Sequence, residues 1–247
     1  MIAEDKMSAT PTESSKAPNP PRGIAISGLV FSALYISSLV LLRRAVPADS
    51  AEVGDWLTDL DLRNWVHIAL DLLPFAGIAF LWFMGVLRNR IGLLEDRFFA
   101  TVFLGSGLLF VAMLFTAAAV SRGLVDTFSS SSGTVLPGES ETYRVLRVMV
   151  YALMNTFGIR MAAVFMFVTS TIGLRTAVLS RWVSLVGFAF GMALLSLINN
   201  FSWIAVLFPL WVLLVSTYIL CSDFQLGRRR AAKTKLLPSD GDRRDGS

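Results

Sequence analysis

Six long apolar segments, separated by short polar stretches, most constrain what this chain can fold into. They cover residues 24–42, 66–87, 98–120, 148–174, 182–199 and 201–220. Each is long enough to cross a hydrocarbon layer of about 30 Å as a helix. Lipid offers no partner for unpaired backbone groups, and the alternating ten-residue segments of a membrane barrel are absent. The sequence therefore predicts an all-α fold, a six-helix transmembrane bundle with short loops.

The two ends of the chain differ from the rest in composition. Overall, 54% of the 247 residues are hydrophobic and only 16% are charged, and the charges collect between and outside the apolar segments. Residues 1–23 are polar and rich in proline, and residues 222–247 mix both charge signs with glycine. Such segments cannot bury enough apolar surface to fold. We expect disordered tails at 1–23 and 222–247 around a transmembrane domain at 24–221.

Lysine and arginine predict the orientation of the bundle. Most of the 22 basic residues fall in the two tails and in the loops after the second and fourth segments. Because cytoplasmic loops carry the excess of basic residues, both termini should be cytoplasmic. We expect a multi-pass protein of a bacterial inner membrane. Arg43 and Arg44 lie on the outer side against this rule, and pairing with the acidic loop that follows is our only explanation for them.

Sequence motifs of catalysis and of cofactor binding are missing. One histidine, His67, cannot supply paired haem ligands, and one cysteine, Cys221, cannot form an internal disulfide. All four lysines lie in the tails, and no zinc-protease, serine-hydrolase or phosphate-loop motif occurs. We expect no enzyme activity, no cofactor and no metal. The net charge of +4 reflects the cytoplasmic loops rather than a nucleic-acid partner.

Gly187 and Gly191 are four residues apart in the fifth segment. This spacing places both on one face of a helix, where the missing side chains let two helix backbones approach closely. We expect a helix contact within the chain, with the sixth segment as the first candidate partner.

Charged residues inside the apolar segments are the main candidates for a functional site. Asp71 and Arg160 are set well inside such segments, and a charge near the bilayer centre costs at least about 2.5 to 3.5 kcal/mol, so it usually has a partner. We expect Asp71 and Arg160 to be coupled inside the bundle. The predicted intramembrane polar cluster consists of Asp71, Arg160, Asn155, Tyr151 and His67. His67 and Asp71 share a helix face, which suits a metal ion or, more simply, a polar outer surface.

Two prolines add backbone acceptors to this cluster. Pro74 removes the hydrogen bond to the carbonyl of Leu70, and Pro209 removes the one to Ala205. We expect these carbonyls and the polar cluster to line a cavity that faces outward. The alternative is a single buried ion pair that fixes helix register.

Residues 174–183, which read LRTAVLSRWV, form a short basic turn between the fourth and fifth segments. This turn resembles that of a family of uncharacterised bacterial, largely actinobacterial, polytopic membrane proteins, in which proline is frequent where this chain has Ser180. The resemblance covers about the last three helices. It implies a bacterial inner membrane and carries over no activity.

Two functions fit these features about equally well. The first is binding or transport of a small solute or ion through the outer polar cluster. The second is a non-catalytic accessory or assembly subunit that packs against a membrane-protein partner. Besides the lipid bilayer, the sequence identifies neither the partner nor the oligomeric state.

The predicted orientation can be tested with reporter fusions. A reporter that is active only in the cytoplasm should give signal when fused to the C-terminus, because that end follows a strongly basic segment. The same reporter fused at Ser130, in a predicted outer loop, should be silent. Signal from Ser130 with silence at the C-terminus would reverse the topology.

Overall fold

Apolar segments of this length become helices along the whole chain that the structure describes. The computed structural model describes residues 20–46, 55–57, 59–91, 97–130, 140–176, 179–196 and 203–236, and these contain no strand. The α-helices are α1 (Pro20–Ala45), α2 (Leu60–Ile91), α3 (Arg97–Ser130), α4 (Glu141–Tyr151), α5 (Ile159–Thr176), α6 (Arg181–Ser196) and α7 (Leu207–Leu236). Single 3₁₀ turns lie at Asp55–Leu57 and Ile204–Val206. The predicted all-α bundle is confirmed.

Most helices are longer than the apolar segments that predicted them. α2 has 32 residues and α3 has 34, so each is roughly 50 Å long, more than a bilayer core of about 30 Å requires. Polar residues at the ends of a membrane helix reach water and continue the helix there. For the same reason α7 extends to Leu236, into the tail that we expected to be disordered. α1 likewise begins at Pro20, inside the tail expected at 1–23. The rest of the two expected tails, 1–19 and 237–247, lies outside the described residues.

The fourth apolar segment forms one continuous helix with an irregular middle. α4 and α5 are joined by a π-helical segment at Ala152–Gly158, where the N–H of Ile159 donates to the carbonyl of Met154, five residues back. Each π turn holds an extra residue and changes the direction of the side chains before it, and such turns are frequent at functional sites. Here it changes the direction in which the residues before Ile159 point.

Neighbouring helices close into a ring. α1 packs on α2 and α7, α3 packs on α2 and on the α4–α5 helix, and α6 packs on α5 and α7. α1, α3 and α6 run toward the end of the bundle from which α2, α4 and α7 run back, and we call this the loop end. The opposite end, where α1 begins and α7 finishes, is the tail end. The charge distribution predicts that the tail end is cytoplasmic.

Aromatic side chains from five helices meet at the bundle centre. This aromatic core consists of Phe31, Phe80, Phe110, Phe165, Phe208 and Trp211, none more than 2% exposed. Its ring centroids lie 4.8 to 6.4 Å apart, mostly at steep interplanar angles, as edge-to-face aromatic pairs prefer. The core joins α1, α2, α3, α5 and α7, with α6 packed on the outside of α5 and α7.

Five helices are long and apolar enough to cross a membrane, counting α4–α5 as one. α6 is the exception, because its 16 residues span only about 24 Å. Ser180 begins α6 by accepting a hydrogen bond from the N–H of Val183 at 3.4 Å, and so it serves as a helix cap.

Gly187 and Gly191 form the close helix contact expected of them, mainly with α5. A Cβ on Gly187 would meet Ser170 Oγ and would lie 2.6 Å from Trp211 Nε1 of α7. A Cβ on Gly191 would lie 3.3 Å from the ring of Phe167. The expected contact with the last helix therefore exists at Gly187 alone, through Trp211.

Gly187→Ala should destabilise the protein by about 1 to 3 kcal/mol, because the buried Trp211 ring has no room to move away from a new methyl group. Gly191→Ala should cost less, since the Phe167 side chain needs to shift by only a few tenths of an ångström. Gly105→Ala on α3 is the matched control: its Cβ would meet nothing within 4 Å, so this change should stabilise by up to about 1 kcal/mol. Thermal unfolding in detergent measures all three, and equal effects at Gly187 and Gly105 would contradict the packing.

Candidate functional site

Charged side chains from α2 and α3 form a network at the loop end of the bundle. Arg122 Nη1 donates to Asp71 Oδ1 at 2.6 Å, and Arg122 Nε donates to Asp126 Oδ2 at 3.3 Å. His67 Nε2 lies 3.9 Å from Asp126 Oδ1. The Asp71 and Arg122 side chains are 66% and 42% exposed, so the network lies at the surface.

Asp71 and Arg160 are not brought together, contrary to our expectation. Asp71 pairs with Arg122, a residue just beyond the third apolar segment, and Arg160 is exposed on α5 with no ion pair or hydrogen bond among the described residues. The reason is geometric, because Asp71 lies near the loop end while Arg160 lies closer to the middle of the bundle's length, exposed on its outer surface. Tyr151 is 56% exposed on α4, so it also stays outside any enclosed site.

A cavity of about 180 Å³ lies between the helices in the loop-end half of the bundle. Most of its walls are apolar side chains of α1, α2, α3 and the α4–α5 helix. The lining residues are Tyr35, Leu39, Leu42, Arg43, Leu70, Leu73, Leu114, Ala117, Ala118, Ser121, Val150, Met154, Asn155, Ile159, Trp203, Ala205 and Val206. An apolar pocket with a few polar groups is the usual form of a small-molecule site.

The aromatic core closes this cavity on the tail side. On α3 the lining extends from Leu114 to Ser121, and Phe110 of the core follows one turn closer to the tail end. The same order holds on the other helices, for example Asn155 before Phe165. Tyr35 belongs to both regions, since it lines the cavity and its ring packs on Phe31 at 5.5 Å and on Phe110 at 6.0 Å.

Two polar residues of the cavity wall, Tyr35 and Asn155, form no side-chain hydrogen bond with the described residues. Tyr35 is 2% exposed, and its hydroxyl forms no hydrogen bond with the described residues. Asn155, held in the wall by the π-helical segment, likewise forms none within this part of the chain. Both groups are therefore available for hydrogen bonds with a molecule in the cavity.

Pro74 and Pro209 each follow a residue of the cavity wall by four positions. Leu70, whose carbonyl loses its helical partner to Pro74, lines the cavity, and so does Ala205, which lies in the 3₁₀ turn before α7. Pro209 lies in the first turn of α7, where a missing N–H costs little, rather than in the middle of a helix as we expected. Its own carbonyl accepts a hydrogen bond from Ser32 Oγ at 2.9 Å.

The cavity therefore contains some of the predicted residues and several that the sequence analysis missed. Asn155, Leu70 and Ala205 lie in its wall, whereas Asp71, Arg160, Tyr151 and His67 do not line it. Arg43 lines it, which gives this outer-side arginine a place near polar groups. Tyr35 was missed because a tyrosine within an apolar segment has no distinguishing pattern, although it is one of only four in the chain.

Within the described residues, no three histidine, cysteine or acidic side chains are grouped so that they can hold a metal ion. His67 and Asp71, the pair that suited a metal, contact Asp126 and Arg122 instead.

Comparisons with protein-family models, with curated proteins and with solved structures find no match to this chain. The resemblance at residues 174–183 therefore stays a prediction, and function is inferred from geometry alone.

The Asp71–Arg122 pair should contribute modestly to stability, since both side chains are partly exposed. A double-mutant cycle with Asp71→Asn and Arg122→Gln should give a coupling of about 0.2 to 1 kcal/mol. The cycle of Asp71→Asn with Arg160→Gln is the matched control and should be additive, because these residues do not touch. Coupling of Asp71 to Arg160 that exceeds its coupling to Arg122 would contradict the observed network.

Proposed function

We propose that this protein binds a small, largely apolar solute with a polar head group in the loop-end cavity. The observation that carries the proposal is Tyr35, a buried residue that lines the cavity and whose hydroxyl has no hydrogen-bond partner among the described residues. Arg43 and Asn155 are further polar groups in the same wall. The proposed function is binding rather than catalysis, since none of the described lining residues is a nucleophile with a base beside it.

Cavity volume limits the size of the solute. A cavity of about 150 Å³ engineered into another protein holds a benzene molecule, so 180 Å³ suits a solute of similar ring size with a small substituent. The apolar walls favour the body of such a molecule, and the tyrosine, asparagine and arginine groups favour an oxygen-bearing head.

Membrane orientation decides from which side the solute arrives. If the tail end is cytoplasmic in a bacterial inner membrane, as the basic residues predict, then the cavity belongs to the outer half of the bilayer. Binding there is the first step of uptake or sensing. Transport to the other side requires the aromatic core beneath the cavity to separate, which is the kind of helix movement that alternating access uses.

Filling the cavity should abolish binding. Ala118 lines the cavity, and Ala119 beside it on α3 is exposed, so Ala118→Phe and Ala119→Phe form a matched pair. Purified wild-type protein should show a saturable rise in melting temperature with benzyl alcohol or benzoate, because a ligand that binds the folded state stabilises it. Ala119→Phe should keep this rise, and Ala118→Phe should lose it while remaining folded.

Arg43→Gln tests the polar head group in the same assay. If Arg43 contacts the head, this change should weaken the effect of benzoate at least tenfold in concentration and leave that of neutral benzyl alcohol nearly unchanged. Equal responses of Ala118→Phe and wild-type protein to both compounds would show that they do not bind in the cavity and would refute the proposal.

A further inference from the structure

Arg160 makes no described contact through which it would stabilise this chain. It is exposed on α5, with no ion pair or hydrogen bond among the described residues. A Cβ on Gly158, two residues earlier, would lie 3.8 Å from Met113 Cβ, so Arg160 is level with about residue 111 of α3. That level is about 16 Å from Arg122 at the loop end and about 21 Å from Arg97 at the tail end. The backbone of Arg160 thus lies near the middle of the apolar layer.

The short helix α6 leaves this position uncovered. α6 lies along a stripe of α5 that includes Ser170, Phe167 and Ala163, which face Gly187 and Gly191. Arg160 is three residues before Ala163 and continues the same stripe toward the loop end. Five residues beyond Gly191, α6 ends at Ser196, close to the depth of Arg160. We call the uncovered part of the stripe, from Phe157 to Arg160, the α5 notch.

Exposed apolar side chains surround the notch. Phe157 of the π-helical segment is 54% exposed, and Met192 and Leu195 near the end of α6 are 57% and 39% exposed. A helix packed here would bury these side chains together with the arginine. Such a surface differs from one that only lipid tails cover, because lipid tails cannot neutralise a charge.

Among the described residues, no acidic side chain pairs with Arg160. Within the six apolar segments the sequence has one acidic residue, Asp71, which lies near the loop end and pairs with Arg122. A second copy in the same orientation would bring another Arg160 and no carboxylate to this depth. The partner charge must therefore come from a different molecule.

We propose that the α5 notch docks a transmembrane helix of a different protein, one that carries an aspartate or glutamate near the middle of the bilayer. Lipid phosphate is the other source of negative charge, but it lies in the headgroup layer, and the arginine stem covers less than half of the 16 Å to the nearer end. A carboxylate on a helix reaches Arg160 without deforming the bilayer. Intramembrane acid–base pairs of this kind hold helices of different proteins together.

A designed peptide tests the notch without knowledge of the natural partner. The probe is a Leu/Ala transmembrane peptide with one glutamate at its centre, and matched peptides carry glutamine or leucine there. The full-length protein is labelled at Cys221, its single and exposed cysteine, and reconstituted in phosphatidylcholine vesicles for energy-transfer measurements. The glutamate peptide should bind saturably, at least tenfold more tightly than the leucine peptide.

Three variants separate the possible outcomes. Arg160→Leu should lose the preference for glutamate, and Arg160→Lys should retain most of it. Arg144 is an exposed arginine of α4 that pairs with Glu141, and Arg144→Gln should behave as wild type. Arg160→Leu should also keep its melting temperature, since Arg160 has no partner among the described residues. Equal binding of the glutamate peptide to wild type and Arg160→Leu would overturn the proposal. So would loss of the glutamate preference when phosphatidylglycerol is added, which would identify lipid phosphate as the occupant.

Discussion

Contact among aromatic rings at the bundle centre is the interaction on which the rest of this structure depends. Helices in lipid gain nothing from hiding apolar surface from water, so their association rests on close packing and on polar contacts. Six rings from five helices provide that packing. Their position also determines where the bundle is closed. Toward the tail end the rings fill the interior, and toward the loop end the same helices diverge around the cavity of about 180 Å³.

Polar groups of the membrane-spanning part are treated in three different ways. Many small hydroxyls bond backbone carbonyls, as Ser38 does with Ala69 of the neighbouring helix at 2.8 Å, although those of Ser170, Ser184 and Ser216 are buried without a partner among the described residues. Charges of α2 and α3 pair at the loop end, where water reduces the cost of each ion. Tyr35, Asn155 and Arg160 belong to neither class. Tyr35 and Asn155 line the cavity, where a bound solute is their proposed partner. Arg160 lies in the α5 notch, where a helix of another protein is its proposed partner.

The sequence predicted the helices well because the cost of exposing backbone to lipid leaves one solution for an apolar segment of this length. It predicted the charge partners poorly. Arg122 follows the third apolar segment, so the sequence placed it in a loop. In the structure α3 continues to Ser130, beyond the hydrocarbon layer, and this places Arg122 beside Asp71. Which residues meet across helices depends on rotation and tilt. The π-helical segment changes that rotation between Asn155 and Arg160, and no spacing in the sequence reveals it.

The central claim is that a solute reaches a cavity bounded by Asn155, and thiol accessibility tests it most directly. In a Cys221→Ser background, Asn155→Cys places a thiol in the cavity wall, and Ala119→Cys places one on the exposed face of α3. The account predicts that a small water-soluble thiol reagent modifies Asn155→Cys and that benzyl alcohol slows this reaction several-fold. It predicts no such protection at Ala119→Cys. An inert Asn155→Cys, or equal effects of benzyl alcohol at both positions, would contradict the account.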